Sequence, residues 1–140
     1  MSVVLDSSIA LAWVLPAEAT AAAWVVYQRV AERGAWVPDL WRLEVANALT
    51  MAARRRRVTA EFRDAALADL AALEIAMDRE TSRHAWGATL PLADRFRLTV
   101  YDAAFLELAL RRSLPLASLD RELRRAATAL GIELLGAPAD

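Results

Sequence analysis

Residues 3–13 read VVLDSSIALAW and decide how the rest of the chain is interpreted. The apolar, β-branched residues 2–5 predict a short buried strand, and residues 7–14 predict a helix that stops before Pro16. Asp6 therefore lies where a strand leaves the core and the next helix begins. A carboxylate at this point is either a helix cap or part of a functional site, and position alone does not separate the two.

Strands and helices are predicted to alternate through the remaining sequence. The predicted strands are 2–5, 35–38, 73–77, 114–118 and 132–135, and the predicted helices are 7–14, 18–32, 40–56, 59–73, 79–97, 101–112 and 120–130. This alternation favours an α/β fold in which a parallel sheet of about five strands is covered by helices on both faces. Because no linker, repeat or low-complexity segment interrupts the pattern, residues 1–140 are predicted to form a single domain.

The composition restricts the chemistry that the chain can perform. Hydrophobic residues make up 57% and charged residues 25% of the 140, which is typical of a globular protein. No cysteine is present, so disulfides and thiolate metal sites are excluded, and we expect a cytoplasmic protein. We expect neither a membrane span nor a signal peptide. The net charge is -1, and all 17 basic residues are arginine, which excludes mechanisms that need lysine.

Four acids stand apart from those on predicted polar helix faces. Asp6 follows the first predicted strand and Asp120 follows LPLAS at 114–118, and ligands of parallel sheets bind outside the carboxyl ends of strands. Glu44 lies among apolar residues in PDLWRLEVANAL, on or beside the buried face of its predicted helix. Asp102 begins the strongly apolar part of LTVYDAAFLELAL.

Each of these acids also has an ordinary structural explanation. Asp6 is a candidate helix cap, and so is Asp120 or the nearby Ser118. Asp102 suits the dipole of a first helical turn, and Glu44 could pair with an arginine. If the four acids meet on one rim of the sheet, however, they repel one another and raise each other's pKa. Mg²⁺ or Mn²⁺ prefers oxygen ligands, relieves that repulsion and serves phosphoryl chemistry.

At these residues the chain resembles a PIN domain, and in particular a VapC-type toxin ribonuclease of a bacterial toxin–antitoxin pair. The matching stretches are VVLDSSIALAW, PDLWRLEVANAL, LTVYDAAFLELAL and LPLASLDREL, in the family's order and spacing. The resemblance implies a three-layer α/β/α sandwich around a short parallel sheet. It also implies metal-binding and catalytic roles for Asp6, Glu44, Asp102 and Asp120, with the hydroxyl of Ser118 beside them.

The resemblance further implies an activity and partners. Ser8 and Asn47 would occupy polar positions of the family, and an Mg²⁺ or Mn²⁺ ion would support hydrolysis of an RNA phosphodiester bond in tRNA or ribosomal RNA. The products would carry a 5′-phosphate and a 3′-hydroxyl. The implied partners are the RNA substrate, a second copy in a homodimer, and a VapB-type antitoxin that covers the groove in a hetero-oligomer. Residues 55–97 carry little of the family's signature.

Other functions fit the residues less well. A catalytically silent PIN-like module that binds RNA or protein stays open, although all four acids are present. A phosphatase of the haloacid dehalogenase type needs a second aspartate two residues after the first, where Ser8 stands, and a receiver domain needs a lysine.

Several remaining features are given ordinary structural interpretations. The basic run ARRRRV at 53–58 is predicted to be a solvated helix end, with RNA backbone contact as the alternative. Asp78 and Glu80 are assigned to polar helix faces or caps, and His84 to the surface. The tryptophans are predicted to lie in the core or an interface, and two of them to line an antitoxin groove: Trp13 and Trp41.

Overall fold

The computed structural model describes residues 2–136 and contains one parallel sheet. Its strands are β1 (Val4–Leu5), β2 (Ala35–Pro38), β3 (Ile75–Asp78), β4 (Leu116–Ala117) and β5 (Leu134–Leu135). The strand order is β3-β2-β1-β4-β5 and every pairing is parallel, as the alternating sequence pattern predicts. The order reverses direction at β1, so the carboxyl ends of β1 and β4 form the switch point where open sheets bind ligands.

Helices flank the sheet and supply most of the core. They are α1 (Ser7–Val14), α2 (Ala21–Arg33), α3 (Trp41–Arg54), α4 (Ala60–Ala71), α5 (Thr81–Ala85), α6 (Thr89–Phe96), α7 (Val100–Arg112) and α8 (Arg121–Ala129), with a 3₁₀ turn at Pro16–Glu18. Residues 103–109 of α7 are all buried, because this helix packs against β1, β2 and β4 as well as α6 and α8. No helix within residues 2–136 is long and apolar enough to cross a bilayer.

Side chains cap some helix N-termini, including those of α2 and α4, whereas the N-terminus of α3 has no side-chain cap. The hydroxyls of Thr20 and Thr59 accept hydrogen bonds from the backbone N–H groups of Ala23 and Phe62, and so cap α2 and α4. Gly34 ends α2 with a φ of 73°, and a Cβ at this position would lie 2.9 Å from the carbonyl oxygen of Glu74. A side chain there would separate β2 from the loop before β3.

The structure corrects three of the predicted elements. The helical segment predicted over 79–97, in which Pro91 is expected to start or kink a turn, is two helices, α5 and α6. The chain turns at Gly87, and Pro91 lies in the first turn of α6, where its missing N–H is tolerated. The helix predicted from residue 18 begins at Ala21, after the 3₁₀ turn. The third strand extends to Asp78, which is therefore not on a helix face.

The exposure of the aromatic and histidine side chains refines the surface predictions. Trp86 is 92% exposed and Trp24 is 46% exposed, so of the two predicted locations, core or interface, only the interface stays open for them, whereas Trp13 and Trp41 are buried. His84 is partly buried instead of exposed. The arginines of 54–57 are exposed at the end of α3, as expected for a solvated helix end.

Candidate metal centre

The carboxylate of Asp6 lies at the carboxyl end of β1 and only 5% of the residue is exposed. Its Oδ2 accepts hydrogen bonds from the hydroxyls of Ser8 at 2.6 Å and Ser118 at 2.8 Å. Asp6 occupies the N-cap position of α1 but its side chain makes no capping hydrogen bond, so the capping interpretation is wrong for this residue. The pKa of Asp6 is raised overall. Burial is the largest cause and the charge of Asp120 adds to it, whereas the two hydroxyls lower the pKa by less.

The two serines connect the corner after β1 to the corner after β4. Ser8 Oγ accepts a hydrogen bond from the N–H of Leu119 at 2.9 Å, and Ser118 Oγ accepts one from the N–H of Asp120 at 3.0 Å. Each hydroxyl therefore donates to Asp6 and accepts from the loop between β4 and α8. This network restricts the rotation of the Asp6 carboxylate.

Glu44 lies in the first turn of α3, and its Oε1 is buried without a hydrogen-bond partner within residues 2–136. None of the ion pairs in that range includes Glu44, so the interpretation as an arginine pair is wrong. Burial, followed by the charges of Asp6 and Asp102, raises the pKa of Glu44 from 4.5 to about 7. Asn47 is exposed one turn further along the same helix.

Asp102 lies in the first turn of α7, where the hydroxyl of Thr99 accepts a hydrogen bond from its backbone N–H at 3.1 Å. Burial raises the pKa of the Asp102 carboxyl, and the charges of Asp120 and Asp6 raise it further. A hydrogen bond with Thr99 lowers this pKa, but by less. A helix N-terminus favours the ionised form, so the dipole explains the position of Asp102 but not its raised pKa.

Asp120 is the N-cap of α8, and its Oδ1 accepts a hydrogen bond from the N–H of Leu123 at 2.9 Å. The capping interpretation is therefore correct for this residue. Asp120 is also exposed, and its charge raises the pKa of Asp6 and of Asp102. One carboxylate thus caps a helix and contributes to the field of the neighbouring acids.

The four predicted acids thus act on one another's ionisation although they come from four separate segments. We call them the acid quartet: Asp6, Glu44, Asp102 and Asp120. Within residues 2–136 no arginine forms an ion pair with any of them. Carboxylates gathered in this way stay ionised only at a cost unless a cation accompanies them.

Comparison with known proteins gives the family of this chain. The PIN domain family model matches residues 3–129. The chain belongs to the PIN domain family. PIN domains are generally metal-dependent nucleases.

Among solved structures, the PIN domain described here is similar to PAE2754 from Pyrobaculum aerophilum. The two share 22% sequence identity and a TM-score of 0.66, over 90% of this chain and 84% of that chain. At this identity the likeness supports the fold alone. None of the curated proteins compared with the chain matches it.

PIN domains typically bind Mg²⁺ or Mn²⁺, and the acid quartet offers the oxygen donors that these ions prefer. The buried Oε1 of Glu44 is an acceptor without a donor, which a cation would satisfy. Within residues 2–136, however, no group of three or more acidic or histidine side chains is arranged to hold an ion. Mg²⁺ commonly takes one or two protein carboxylates and completes its shell with water and phosphate oxygens. The quartet fits that open type of site and not a closed protein cage.

A second group of acids in this PIN domain is missing from the sequence-based prediction. We call it the Arg111 cluster: Arg111 with Asp78, Glu80 and Glu107. Arg111 donates to both oxygens of Glu107 at 2.8 and 2.9 Å and to both oxygens of Asp78, the shorter contact being 2.6 Å. Glu80, at the N-cap of α5, is 3.5 Å away from the same guanidinium.

The assignment of Asp78 to a polar helix face or cap is wrong, because Asp78 ends β3 and is 1% exposed. Burial alone would raise the pKa of Asp78, but the hydrogen bonds and the charge of Arg111, together with Thr81, lower it. Two signals in the sequence could have indicated this cluster. Asp78 follows an apolar run, as Asp6 does, and Glu107 lies four residues before Arg111 within an apolar helix.

Proposed function

We propose that this PIN domain is an Mg²⁺- or Mn²⁺-dependent endoribonuclease that acts as a VapC-type toxin. The observation that supports the proposal is the acid quartet, in which three carboxyl groups have raised pKa values and Glu44 Oε1 is buried without a partner. Perturbed acids gathered at the switch point of a parallel sheet are typical of a functional site.

The residues of the quartet would have different roles, which depend on where each lies in the fold. Asp6, oriented by Ser8 and Ser118, and Asp102 at the start of α7 would hold the ion, with Asp120 anchored beside them by α8. When bound, a divalent ion offsets the charge of the phosphate and readies water for in-line attack. The RNA would be left with a 5′-phosphate and a 3′-hydroxyl.

Glu44 has a separate capability. With a pKa of about 7, its carboxyl group is partly protonated near neutral pH before an ion binds. It would release this proton when a cation arrives, or exchange a proton with water close to the phosphate. Because the charges of Asp6 and Asp102 raise the pKa of Glu44, this proton exchange would occur within the quartet.

The substrate and partners of the proposal come from the family resemblance. The substrate would be tRNA or ribosomal RNA cut at a single-stranded loop, in the cytoplasm. A VapB-type antitoxin would cover the groove, and the toxin would form a homodimer that joins the antitoxin in a hetero-oligomer. The four matching motifs support this subtype.

The activity is tested with purified protein, total tRNA and ribosomal RNA, and either Mg²⁺ or Mn²⁺. We expect the wild-type protein to cut one RNA at few sites, and Asp6→Asn to lose about two to three orders of magnitude in rate, because it removes a ligand charge. Asp94→Asn, an exposed acid on α6, is the matched control and should cut at the wild-type rate. Equal cutting by wild type and Asp6→Asn indicates contamination, and no cutting by any variant favours the silent module.

The toxin role is tested separately in cells. Expression of the wild-type chain should arrest growth, Asp6→Asn should not, and a small protein from an adjacent reading frame should restore growth and co-purify with the chain. Cutting in vitro without growth arrest would retain the nuclease and reject the toxin.

A further inference from the structure

The basic run at the end of α3 belongs to neither the acid quartet nor the Arg111 cluster. We call it the arginine run: residues 54–57, all of them arginine and all exposed. None of the ion pairs within residues 2–136 includes their guanidinium groups. No acid occurs over residues 45–60, although the whole chain has a net charge of -1. The arginine run is therefore a concentrated positive charge on a chain whose remaining part is net negative.

The way in which α3 ends does not account for four arginines. A basic residue in the last turn suits the helix dipole, but of the four only Arg54 lies within α3. Arg56 has a φ of 58°, in the left-handed region where glycine is usual after a helix and where a side chain reduces stability. The chain turns at this residue, because the N–H of Arg57 bonds to the carbonyl oxygen of Ala52 at 2.9 Å. The helical spacing that spreads successive side chains around one axis therefore ends within the arginine run.

Helix α3 connects the arginine run to the acid quartet along one side. Arg55 follows Glu44 by 11 residues, close to three turns of 3.6, so the two lie on the same side of the helix about 16 Å apart. Asn47 and Met51, three and seven residues after Glu44, share this side, and Asn47 is exposed and Met51 partly buried. An uncharged and partly exposed strip of α3 thus connects the two groups.

We propose that the arginine run binds the phosphate backbone of the RNA substrate beside the segment that is cut. This inference rests on the proposed nuclease function and adds a second binding surface to it. A separation of about 16 Å corresponds to about five base pairs along a nucleic-acid duplex. An RNA with a single-stranded loop at the acid quartet and a paired stem along α3 fits both groups. Contacts between arginine and phosphate provide affinity and orientation without a preference for particular bases.

Binding is measured with fluorescently labelled, unfractionated tRNA in the presence of a chelator, where cleavage that needs Mg²⁺ or Mn²⁺ does not occur. The double variant Arg55→Gln and Arg57→Gln should bind tRNA about tenfold more weakly than wild type at low salt. The slope of log affinity against log salt concentration should become shallower by about 1.5, because each lost phosphate contact removes about 0.7 to 0.9.

The matched control removes the same charge from other exposed arginines. The double variant Arg33→Gln and Arg83→Gln changes the ends of α2 and α5, outside the arginine run and the acid quartet. It should bind tRNA within about twofold of wild type and with the same salt slope. All four substitutions are on exposed residues, so both double variants are expected to fold, and circular dichroism checks this.

Cleavage kinetics provide a second readout if the wild-type chain cuts tRNA. The double variant Arg55→Gln and Arg57→Gln should raise KM about tenfold and change kcat much less, because contacts remote from the reacting phosphate strengthen binding of substrate and transition state alike. Unchanged KM in a variant that still cuts would overturn this inference and retain the nuclease. Binding of tRNA through the arginine run by a chain that cuts no RNA would support the RNA-binding surface and reject the nuclease.

Three further results would overturn the inference. The first is unchanged tRNA affinity and salt slope in the folded Arg55→Gln and Arg57→Gln protein. The second is an equal loss of affinity in the Arg33→Gln and Arg83→Gln control, which would indicate a general charge effect. The third is unchanged tRNA binding together with loss of co-purification with the small protein of the adjacent reading frame, which would assign the arginine run to a protein partner.

Discussion

The acid quartet and the Arg111 cluster are built from similar residues but differ in electrostatics. Asp6 follows β1 and Asp78 ends β3, so each carboxylate leaves the core at the carboxyl end of a parallel strand. One helix, α7, contributes to both groups, with Asp102 in its first turn and Arg111 in its last. The difference is that, within residues 2–136, an arginine pairs with the acids of one group and none pairs with the acids of the other.

The pKa values record this difference. Burial would raise the pKa of Asp78, but Arg111 lowers it, and the hydrogen bonds that Arg111 donates to Glu107 and Asp78 raise the pKa of Arg111. Burial and neighbouring carboxylates raise the pKa of Asp6 and Glu44 instead. A buried acid is thus structural where a guanidinium accompanies it, and available to an external cation where none does.

We expect the largest effect when the guanidinium of Arg111 is removed from the Arg111 cluster. Arg111→Met should lower the free energy of unfolding by about 3–5 kcal/mol, because Asp78 and Glu107 would be buried without compensation. Urea denaturation measures this loss. Arg83→Met, an exposed partner of Glu80, should change stability by less than about 0.5 kcal/mol. Equal, small effects of both substitutions would show that the Arg111 cluster is not structural.

The next largest effect is expected when a divalent ion is added to the wild-type protein. Mn²⁺ at a free concentration 100 times its dissociation constant should stabilise the wild-type protein by about 2.7 kcal/mol. Asp6→Asn should abolish that stabilisation, whereas Glu80→Gln in the Arg111 cluster should keep it. Thermal unfolding with and without the ion distinguishes the two groups. A Glu80→Gln protein that loses the response would mean that the ion binds at the Arg111 cluster.

A smaller effect is expected from the serine network that orients Asp6. Ser118→Ala removes a donor to Asp6 Oδ2 and should lower the cleavage rate about tenfold, since outer hydrogen bonds orient metal-binding carboxylates. Ser7→Ala, whose backbone N–H is unchanged, is the neighbouring control and should cleave normally. Cleavage rates at saturating Mn²⁺ provide the measurement. Full activity of Ser118→Ala would remove this serine from the site.

The smallest effect is a pH dependence of opposite sign in the two groups. The pKa of Glu44 is about 7 in the folded chain against 4.5 unfolded, so the metal-free protein should lose stability as pH rises from about 5 to 8. After allowance for solvent around this half-buried group, the loss is about 1 kcal/mol. The pKa of Asp78 is lowered in the folded chain, so the stability that its ionised form contributes is present above pH 3.8 and is lost only as pH falls further.

Unfolding in the presence of a chelator at several pH values checks the sign. Glu44→Gln should reduce the loss of stability between pH 5 and 8 without changing the loss of stability below pH 3.8. Saturating Mn²⁺ should oppose the decline in the wild-type protein, because the ion favours the ionised carboxylates. A wild-type stability that increases over this range would contradict the raised pKa of Glu44.

Much of the architecture follows from local patterns in the sequence. The predicted strand 35–38 and helix 7–14 match β2 and α1 residue for residue, because a glycine precedes β2, a proline ends it, and a proline follows α1. The helical segment predicted over 79–97 divides into two, because the chain turns at Gly87 and Pro91 is tolerated only in a first helical turn. The four candidate acids were also recognisable, since each interrupts or follows an apolar run.

By itself, the sequence determined the alternation of strands and helices and which acids lie beside apolar segments, because these depend on neighbours along the chain. Only the tertiary structure decided which acids have a cation. Glu107 and Arg111 are four residues apart, but Asp78 joins them across 33 positions, and Ser118 reaches Asp6 across 112. Charge compensation depends on distance in space, and strand order and the path of α7 determine that distance.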